Sequence, residues 1–310
     1  MTALVVLKAG PATSVQDGGR RGWQRFGLAT SGAVDVLASA IANTLVSQNA
    51  AAAAIEVGPS LFEARIVEGF ARIAVAGSPR SIRVGGRAVA PATTTVASEG
   101  EVIQLGSAVD GVFSYLAFEG GIAGTPQLGS LSVHQRGGLG VPVPRGLSRG
   151  DTVAIGAAQV SDCERELICP ATDPGPAIRV ILGPQDDYFS RATILKFLSA
   201  DWRISPASDR MGYRLIGAPL EHAKGFNIIS DGTVTGSIQV PGNGVPLVLL
   251  PDRGTVGGYP KIAVIATADL ARFVQTPAGG SVNFQAVDVA QAQLAARALA
   301  QRIATLPAHV

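Results

Sequence analysis

A chain of 310 residues, 47% hydrophobic and 15% charged, carries too much apolar material and too little charge to stay disordered, and its length favours two domains over one. A formal net charge of +2 with no run of Lys or Arg argues against a surface that tracks nucleic-acid phosphates; Arg20, Arg21 and Arg25 come nearest and read as a solvated turn. Gly, Pro or charge interrupts every apolar stretch short of a membrane span, so no membrane helix is expected.

The opening residues, MTALVVLKAG, have no basic leader and too short an apolar run for a signal peptide, so they read as a first strand over 3–7 of a cytoplasmic protein. Ser31 is the expected N-cap of an amphipathic helix over 33–46, where Val36, Leu37, Ala40, Ile41, Thr44 and Leu45 recur at helical spacing. Strands over 71–76, 81–84, 93–96, 102–105 and 112–118 follow between Gly and Pro. The polar, Pro-bearing segment CERELICPATDPGP then breaks the pattern and places a domain break between Asp151 and Ile178, giving domains 1–165 and 166–310. Its Cys163 and Cys169 fit no zinc spacing, and His134, His222 and His309 are too scattered to help, so the cysteines read as unmodified thiols near the junction.

Beyond the break, strands over 177–181, 202–205, 236–240, 246–250 and 262–267 accompany a short helix over 185–198, with Asp186 and Asp187 at its positive end. A terminal helix over 288–306 carries Val289, Ala292, Ala296, Leu299, Ile303 and Leu306 on one face. The fold expected is mostly β with a few helices. Many strands with tight turns favour barrels, although periodicity does not separate a barrel from a sandwich.

Several catalytic classes are excluded by pattern: there is no Walker A loop, HExxH, paired CxxC, GxSxG elbow or GxGxxG after a strand. The best candidates for a site are polar residues on Gly-rich turns between 204 and 269. Ser208, Asp209 and Arg210 precede Met211, Gly212 and Tyr213. In a site, Arg210 holds a carboxylate or phosphate through its fork while Asp209 orients it or takes a proton. The alternative is a turn capped by Asp209, with Arg210 in a surface ion pair worth ~0–1 kcal/mol. In the second run, Asp252, Arg253, Thr255, Gly257, Gly258, Tyr259 and Lys261, the glycines let backbone amides approach an anion beside a lysine charge. A plain β-turn with a snorkelling lysine is the competing reading. Gln239 in GSIQVPG can meet both edges of an amide or lactam, or satisfy backbone groups at a strand end. In the first half the candidates are Ser14, Gln16, Asp17 and Arg20 of TSVQDGGR, then Ser31 and Asp35; for Asp35, in the first turn of a helix, a structural role has equal weight.

SDRMGYRL, GSIQVP and PDRGTVGGYPK, together with TSVQDGGRRGWQRFGLATSGAVD, GPSLFEA and YLAFEGGI followed by LGS, resemble the carboxyltransferase or allophanate hydrolase subunit 2 family. That family includes the C-type subunit of the bacterial 5-oxoprolinase complex and the carboxyltransferase region of urea amidolyase. The resemblance covers nearly the whole chain and implies two cyclophilin-like β-barrel domains. With it, Asp209, Arg210, Lys261 and Asp17 are assigned as catalytic, either aspartate being the base. Gln16, Arg20, Ser208, Tyr213, Gln239, Asp252, Thr255, Gly257, Gly258 and Tyr259 are assigned to substrate binding. The chain departs from the family pattern between Ser130 and Gly150: Leu131 stands in place of an arginine and Val133 in the usual threonine region, with His134 and Arg136 either compensating or serving as loop residues.

The activity this resemblance implies is that of one component of an ATP-dependent 5-oxoprolinase, in which ATP activates the lactam carbonyl and water opens the ring to glutamate. Lys261, Arg210 and the glycine amides would stabilise developing oxyanion and phosphate charge, with ATP held here or by a partner. One alternative is biotin-dependent carboxyl transfer to urea or a related amide. The other is a non-catalytic regulatory or interaction subunit. Methionine occurs only at Met1 and Met211, so a Met-Lys-Met biotin acceptor is missing and carboxybiotin would come from a partner. Without a Ser-Ser-Lys amidase signature, direct allophanate cleavage is not expected. The implied partners are a B-type 5-oxoprolinase protein, of the allophanate hydrolase subunit 1 family, and an A-type 5-oxoprolinase protein.

Overall fold

The computed structural model describes residues 2–157, 165–166 and 177–306. Cys163, Cys169 and His309, and most of the expected break, lie outside the described residues. The chain divides into two compact units: Met1–Arg21 with Ser31–Ala171 and Gln301–Val310, and Gly22–Thr30 with Thr172–Ala300.

Unit 1 is built from two antiparallel sheets. One runs, in spatial order, Thr152–Ile155, Thr2–Ala9, Phe62–Glu68, Val102–Leu105, Ile82–Val84 and Arg87–Ala88; the other runs Ser14–Gln16, Ala54–Val57, Ser114–Phe118, Phe70–Gly77 and Thr94–Ser98. Alternation with period two turns Leu4, Val6, Phe62 and Ile66 of the first sheet, and Ile55, Ile73, Leu116 and Phe118 of the second, into one shared core. Ser114–Phe118 is buried on both faces, because α1 (Val36–Leu45) packs on the side away from that core.

The main sheet of unit 2 has eight strands, in the order Ser281–Val282, Trp202–Ile204, Gly212–Ile216, Leu247–Leu249, Ser237–Gln239, Lys261–Ile265, Ile178–Leu182 and Phe284–Ala286. Its two outermost strands are joined in sequence by the single residue Asn283, which brings the edges of the sheet together and rolls it into a nearly closed barrel. Trp202, Phe197, Phe273 and Phe284 fill the core beside α2 (Arg191–Ser199) and α3 (Leu270–Val274), with Phe197 stacked on Phe284 at 4.9 Å. A separate two-stranded ribbon pairs Asp231–Gly232 with Val256–Gly257. The terminal helix is α4 (Val289–Thr305), opened by a reciprocal pair in which Asp288 accepts from the Gln291 amide at 2.7 Å and Gln291 accepts from the Asp288 amide at 3.1 Å. The architecture is mostly β, with four α-helices among the described residues, in agreement with the strand pattern and the barrels that the resemblance implies.

Two expected helices begin later than their sequence suggests. Ser31 does not cap α1; Asp35 does, accepting from the Ala38 amide at 3.0 Å. The reason is competition for backbone donors. The amides of Gly32, Ala33, Val34 and Asp35 donate in turn to Gln16 Oε1, the Asp17 carbonyl, Glu56 Oε2 and Tyr115 Oη, so the chain does not enter the helix until residue 36. The helix expected over 185–198 is broken at Phe189, which is extended and buried, and Ser190 starts α2 by accepting from the Thr193 amide at 3.1 Å. Asp186 and Asp187 therefore occupy a separate 3-10 turn, Asp186–Tyr188.

Candidate active site

Unit 2 lays two of the marked sequence runs side by side. Gly212 is in register with Leu249, the Leu250 amide donates to the Met211 carbonyl, and the Asp252 amide donates to the Arg210 carbonyl at 3.1 Å. Across this junction Arg210 grips Asp252 with both arms of its fork, Nε to Oδ2 at 2.9 Å and Nη2 to Oδ1 at 3.3 Å. Asp209 is exposed and forms the turn: its Oδ1 accepts from the amides of Met211 at 2.8 Å and Gly212 at 3.2 Å. Ser208 Oγ likewise accepts from the Arg214 amide. Tyr213, expected at the substrate, is instead a core residue, with its hydroxyl on the Val274 carbonyl at 3.0 Å and its ring against Phe273.

Gln239 and Lys261 face each other on neighbouring strands, at a bulge that gives the barrel wall an irregular edge. The Lys261 side chain is 2% exposed and its ammonium lies 2.8 Å from Oδ2 of Asp231, which is 51% exposed. Gln185 joins the pair from the third side: its Oε1 accepts from the Lys261 amide at 3.2 Å and its Nε2 donates to Asp231 Oδ2 at 3.3 Å. The hydrogen bond from Lys261, with a further bond from the Gly232 amide, holds the Asp231 carboxyl below the usual range. Gly257, opposite Asp231 in the ribbon, packs directly on the Gln239 carboxamide, whose Nε2 reaches the Tyr259 carbonyl at 3.4 Å. Gly258 accepts from the Ile228 amide and Thr255 from the Thr233 amide, each through its carbonyl. Tyr259 is exposed beside them. Arg253 is buried among the neutral acceptors Thr235 Oγ1, Gln24 Oε1 and the Thr233 carbonyl, and burial lowers its pKa. These bonds link the Arg210–Asp252 pair to the Lys261–Asp231 pair through the loop 252–257 and the strand it lies on.

In unit 1 the expected residues form a different kind of cluster. The Asp17 carboxylate takes bonds from Ser130 Oγ at 2.7 Å, Ser132 Oγ at 2.5 Å and the amides of Gly19 and Leu131 at 2.8 and 2.7 Å. Arg20, wholly buried, donates to the carbonyls of Gln127, Ser130 and Ser132. Gln16 donates to Ser14 Oγ and the Val133 carbonyl while accepting from Gly32. Asp17, Gln16 and Arg20 thus clamp the 127–133 segment rather than leave functional atoms open. The departures at Leu131 and Val133 do not disturb this clamp, since it engages their backbone, and His134 Nδ1 accepts from the Gly137 amide to close the next turn. Ser31, at φ 51°, is buried, and Asp35 caps α1.

Gln185 and Asp231 are polar residues of the unit 2 cluster that the motif reading passes over. Asp231 sits in the turn-like SDGTVTG and Gln185 in a helix-like stretch, and only their distance from a buried lysine marks them.

The chain belongs to the carboxyltransferase domain family: the model of that family, carboxyltransferase domain, subdomain A and B, matches residues 26–286. Within it, the C-type 5-oxoprolinase subunit of Escherichia coli (strain K12) is 36% identical over 282 residues, spanning 91% of this chain and 90% of the relative. Urea amidolyase of Saccharomyces cerevisiae is 28% identical over 308 residues, which cover 91% of this chain but 16% of the yeast protein. The crystal structure of K. lactis urea amidolyase matches with a TM-score of 0.89 at 26% identity, over 98% of this chain and 20% of that one.

Proposed function

We propose that this chain is the C-type subunit of an ATP-dependent 5-oxoprolinase, acting in the cytoplasm with partners of the A and B types. The observation that carries this reading is the degree of likeness: the bacterial relative is 36% identical over 282 residues, against 28% over 308 residues for the yeast enzyme. Ring opening adds water across the lactam C–N bond and leaves an amine and a carboxylate. Negative charge gathers on the carbonyl oxygen as water adds, and fixed hydrogen-bond donors are what such a site needs to stabilise it; the Lys261 ammonium, buried in the barrel wall and paired with Asp231, contributes by holding that carboxylate in place. Gln239 offers an amide edge to the lactam, and Arg210, locked by Asp252, fixes the loop that carries Gly257, Gly258 and Tyr259. Arg210 and Lys261 are each neutralised by a carboxylate, and no Walker loop stands beside them, so these residues do not fit a nucleoside triphosphate. The reading therefore assigns ATP to a partner protein.

A second reading, biotin-dependent carboxyl transfer to urea or a related amide, is supported by the near-complete match to K. lactis urea amidolyase. Carboxybiotin would then arrive on a partner, and Gln239 and Tyr259 would position the amide. Co-expression with A- and B-type partners, assayed for ATP-dependent conversion of 5-oxoproline to glutamate and in parallel for urea carboxylation, tests both. Glutamate formation that needs this chain supports the first reading; carboxylation without ring opening replaces it with the second.

A further inference from the structure

Four aspartates lie in the two clusters, and their bonding separates them sharply. Asp17 is filled by four donors, Asp252 gives both oxygens to Arg210, and Asp209 spends Oδ1 on two amides of its own turn. Asp231 differs. It takes one bond on Oδ1, from the Gly232 amide, and shares Oδ2 between Lys261 and Gln185. A carboxylate offers about four acceptor positions. Three are used here against two at Asp209 and two at Asp252, so acceptor count does not single Asp231 out; what does is that this half-exposed carboxylate is the one paired with the buried Lys261 ammonium.

Lys261 itself is sealed off, so its charge meets a ligand by way of Asp231. A carboxylate kept ionised beside an ammonium is an acceptor only, and it selects ligands that bring a hydrogen-bond donor. We propose that Asp231 is the substrate-contacting carboxylate of unit 2, accepting the N–H of a lactam or small amide, with Lys261 and Gln185 as positioning residues that hold its orientation. The proposal rests on the reading of this chain as a protein that handles a lactam or amide, and names the group that recognises the nitrogen. It places the substrate-contacting carboxylate at a residue other than Asp209 and Asp17, the aspartates that the sequence offers as the base. It also predicts selectivity: a lactam methylated on nitrogen lacks the donor and leaves Asp231 facing a methyl group.

The test uses the reconstituted complex, with saturation-transfer NMR and steady-state kinetics on 5-oxoproline, its N-methyl analogue and urea. Asp231→Asn is expected to lower kcat/KM about 10- to 100-fold, the span of a charged hydrogen bond lost, with no saturation transfer to the ligand; because it also strips the buried Lys261 ammonium of its carboxylate, its melting temperature should fall, and binding is read well below the transition. Asp231→Glu should recover part of the binding. Gln185→Ala should raise KM with little change in kcat, and the surface variant Asp187→Asn should match wild type. The N-methyl lactam should not bind. Wild-type binding and kcat/KM in Asp231→Asn, or equal binding of the N-methyl analogue, would overturn the proposal. If wild type handles urea but not 5-oxoproline, the lactam reading fails while the Asp231 comparison is read on urea; if it binds neither, both fall.

Discussion

Tyr115 donates its hydroxyl proton to Glu56 Oε2 at 2.7 Å, with both side chains wholly buried in unit 1. The pair does more than satisfy itself. Glu56 also accepts from Val34, and Tyr115 Oη accepts from Asp35, so the two side chains hold the non-helical segment that precedes α1. Burial, followed by the nearby Glu56 and Asp35 charges, pushes the Tyr115 hydroxyl well above its ordinary value of 10.0.

Tyr115→Phe should therefore cost about 1–3 kcal/mol, because a buried carboxylate loses a donor and the Asp35 amide loses an acceptor. The pH dependence has a definite sign. Above pH 10.0 the unfolded tyrosine releases its proton while the native one keeps it, so the native state binds more protons and stability falls with rising pH. The contribution is full below that pH and is lost as pH rises through the folded value. Urea unfolding at pH 8 and above pH 10 should show a decline in wild type that is shallower in Tyr115→Phe.

Buried Asp269 has the opposite dependence. Burial alone raises its pKa, but bonds from the Arg179 side chain and amide, together with the charge of Arg272, outweigh this and hold the carboxyl below its usual 3.8. Its stabilisation is complete above pH 3.8 and is lost as pH falls through the lower folded value. Asp269→Asn should cost about 3 kcal/mol, at the low end for a broken buried pair because both arginines are partly exposed. Denaturant unfolding near neutrality checks the loss, and the variant should have a flatter acid limb than wild type.

Much of the fold is legible in the sequence, and the failures have local causes. VIQL alternates cleanly between turns and becomes the strand Val102–Leu105, with Ile103 and Leu105 inward. FEARIVE alternates too, but Glu63, Arg65 and Glu68 on its outer face disguise the strand Phe62–Glu68 as a polar segment. SDRMGYRL hides the strand Gly212–Ile216 behind a motif that resembles a loop. In the site, residue types are readable while partners are not. Lys261 and Asp231 are 30 residues apart, and Tyr115 and Glu56 are 59 apart. Such pairs follow from strand register, which one-dimensional patterning leaves open.

Gly257→Ala separates positioning from folding. A methyl group there would fall inside contact distance of Gln239 Nε2, the movable tip of a side chain, and Gly257 has no positive φ that only glycine favours. The fold should therefore survive at a cost under about 1 kcal/mol, while the Gln239 carboxamide is pushed from its place. Activity of the reconstituted complex should drop about 10-fold or more, since a displacement near 1 Å is costly in a preorganised site. Melting temperature and kcat/KM measured on the same preparation check both halves.

Arg210 and Asp252 allow a choice between a surface ion pair and a structural clamp. Their side chains are 10% and 16% exposed, and the bond is two-pronged, so solvent screening is limited. The same two residues also exchange a backbone bond, which makes the ion pair a lock on a junction already formed by the sheet. Arg210→Lys keeps the charge but not the fork, and Asp252→Asn keeps the shape but not the charge. A double-mutant cycle should give a coupling of about 1–3 kcal/mol, above the ~0–1 kcal/mol of an exposed pair. Because the clamp carries the loop with Gly257 and Gly258, kcat/KM should fall in step with stability across the four proteins. A rise in KM for Arg210→Lys with stability unchanged would instead place the guanidinium on the substrate, and coupling near zero would return the pair to the surface class.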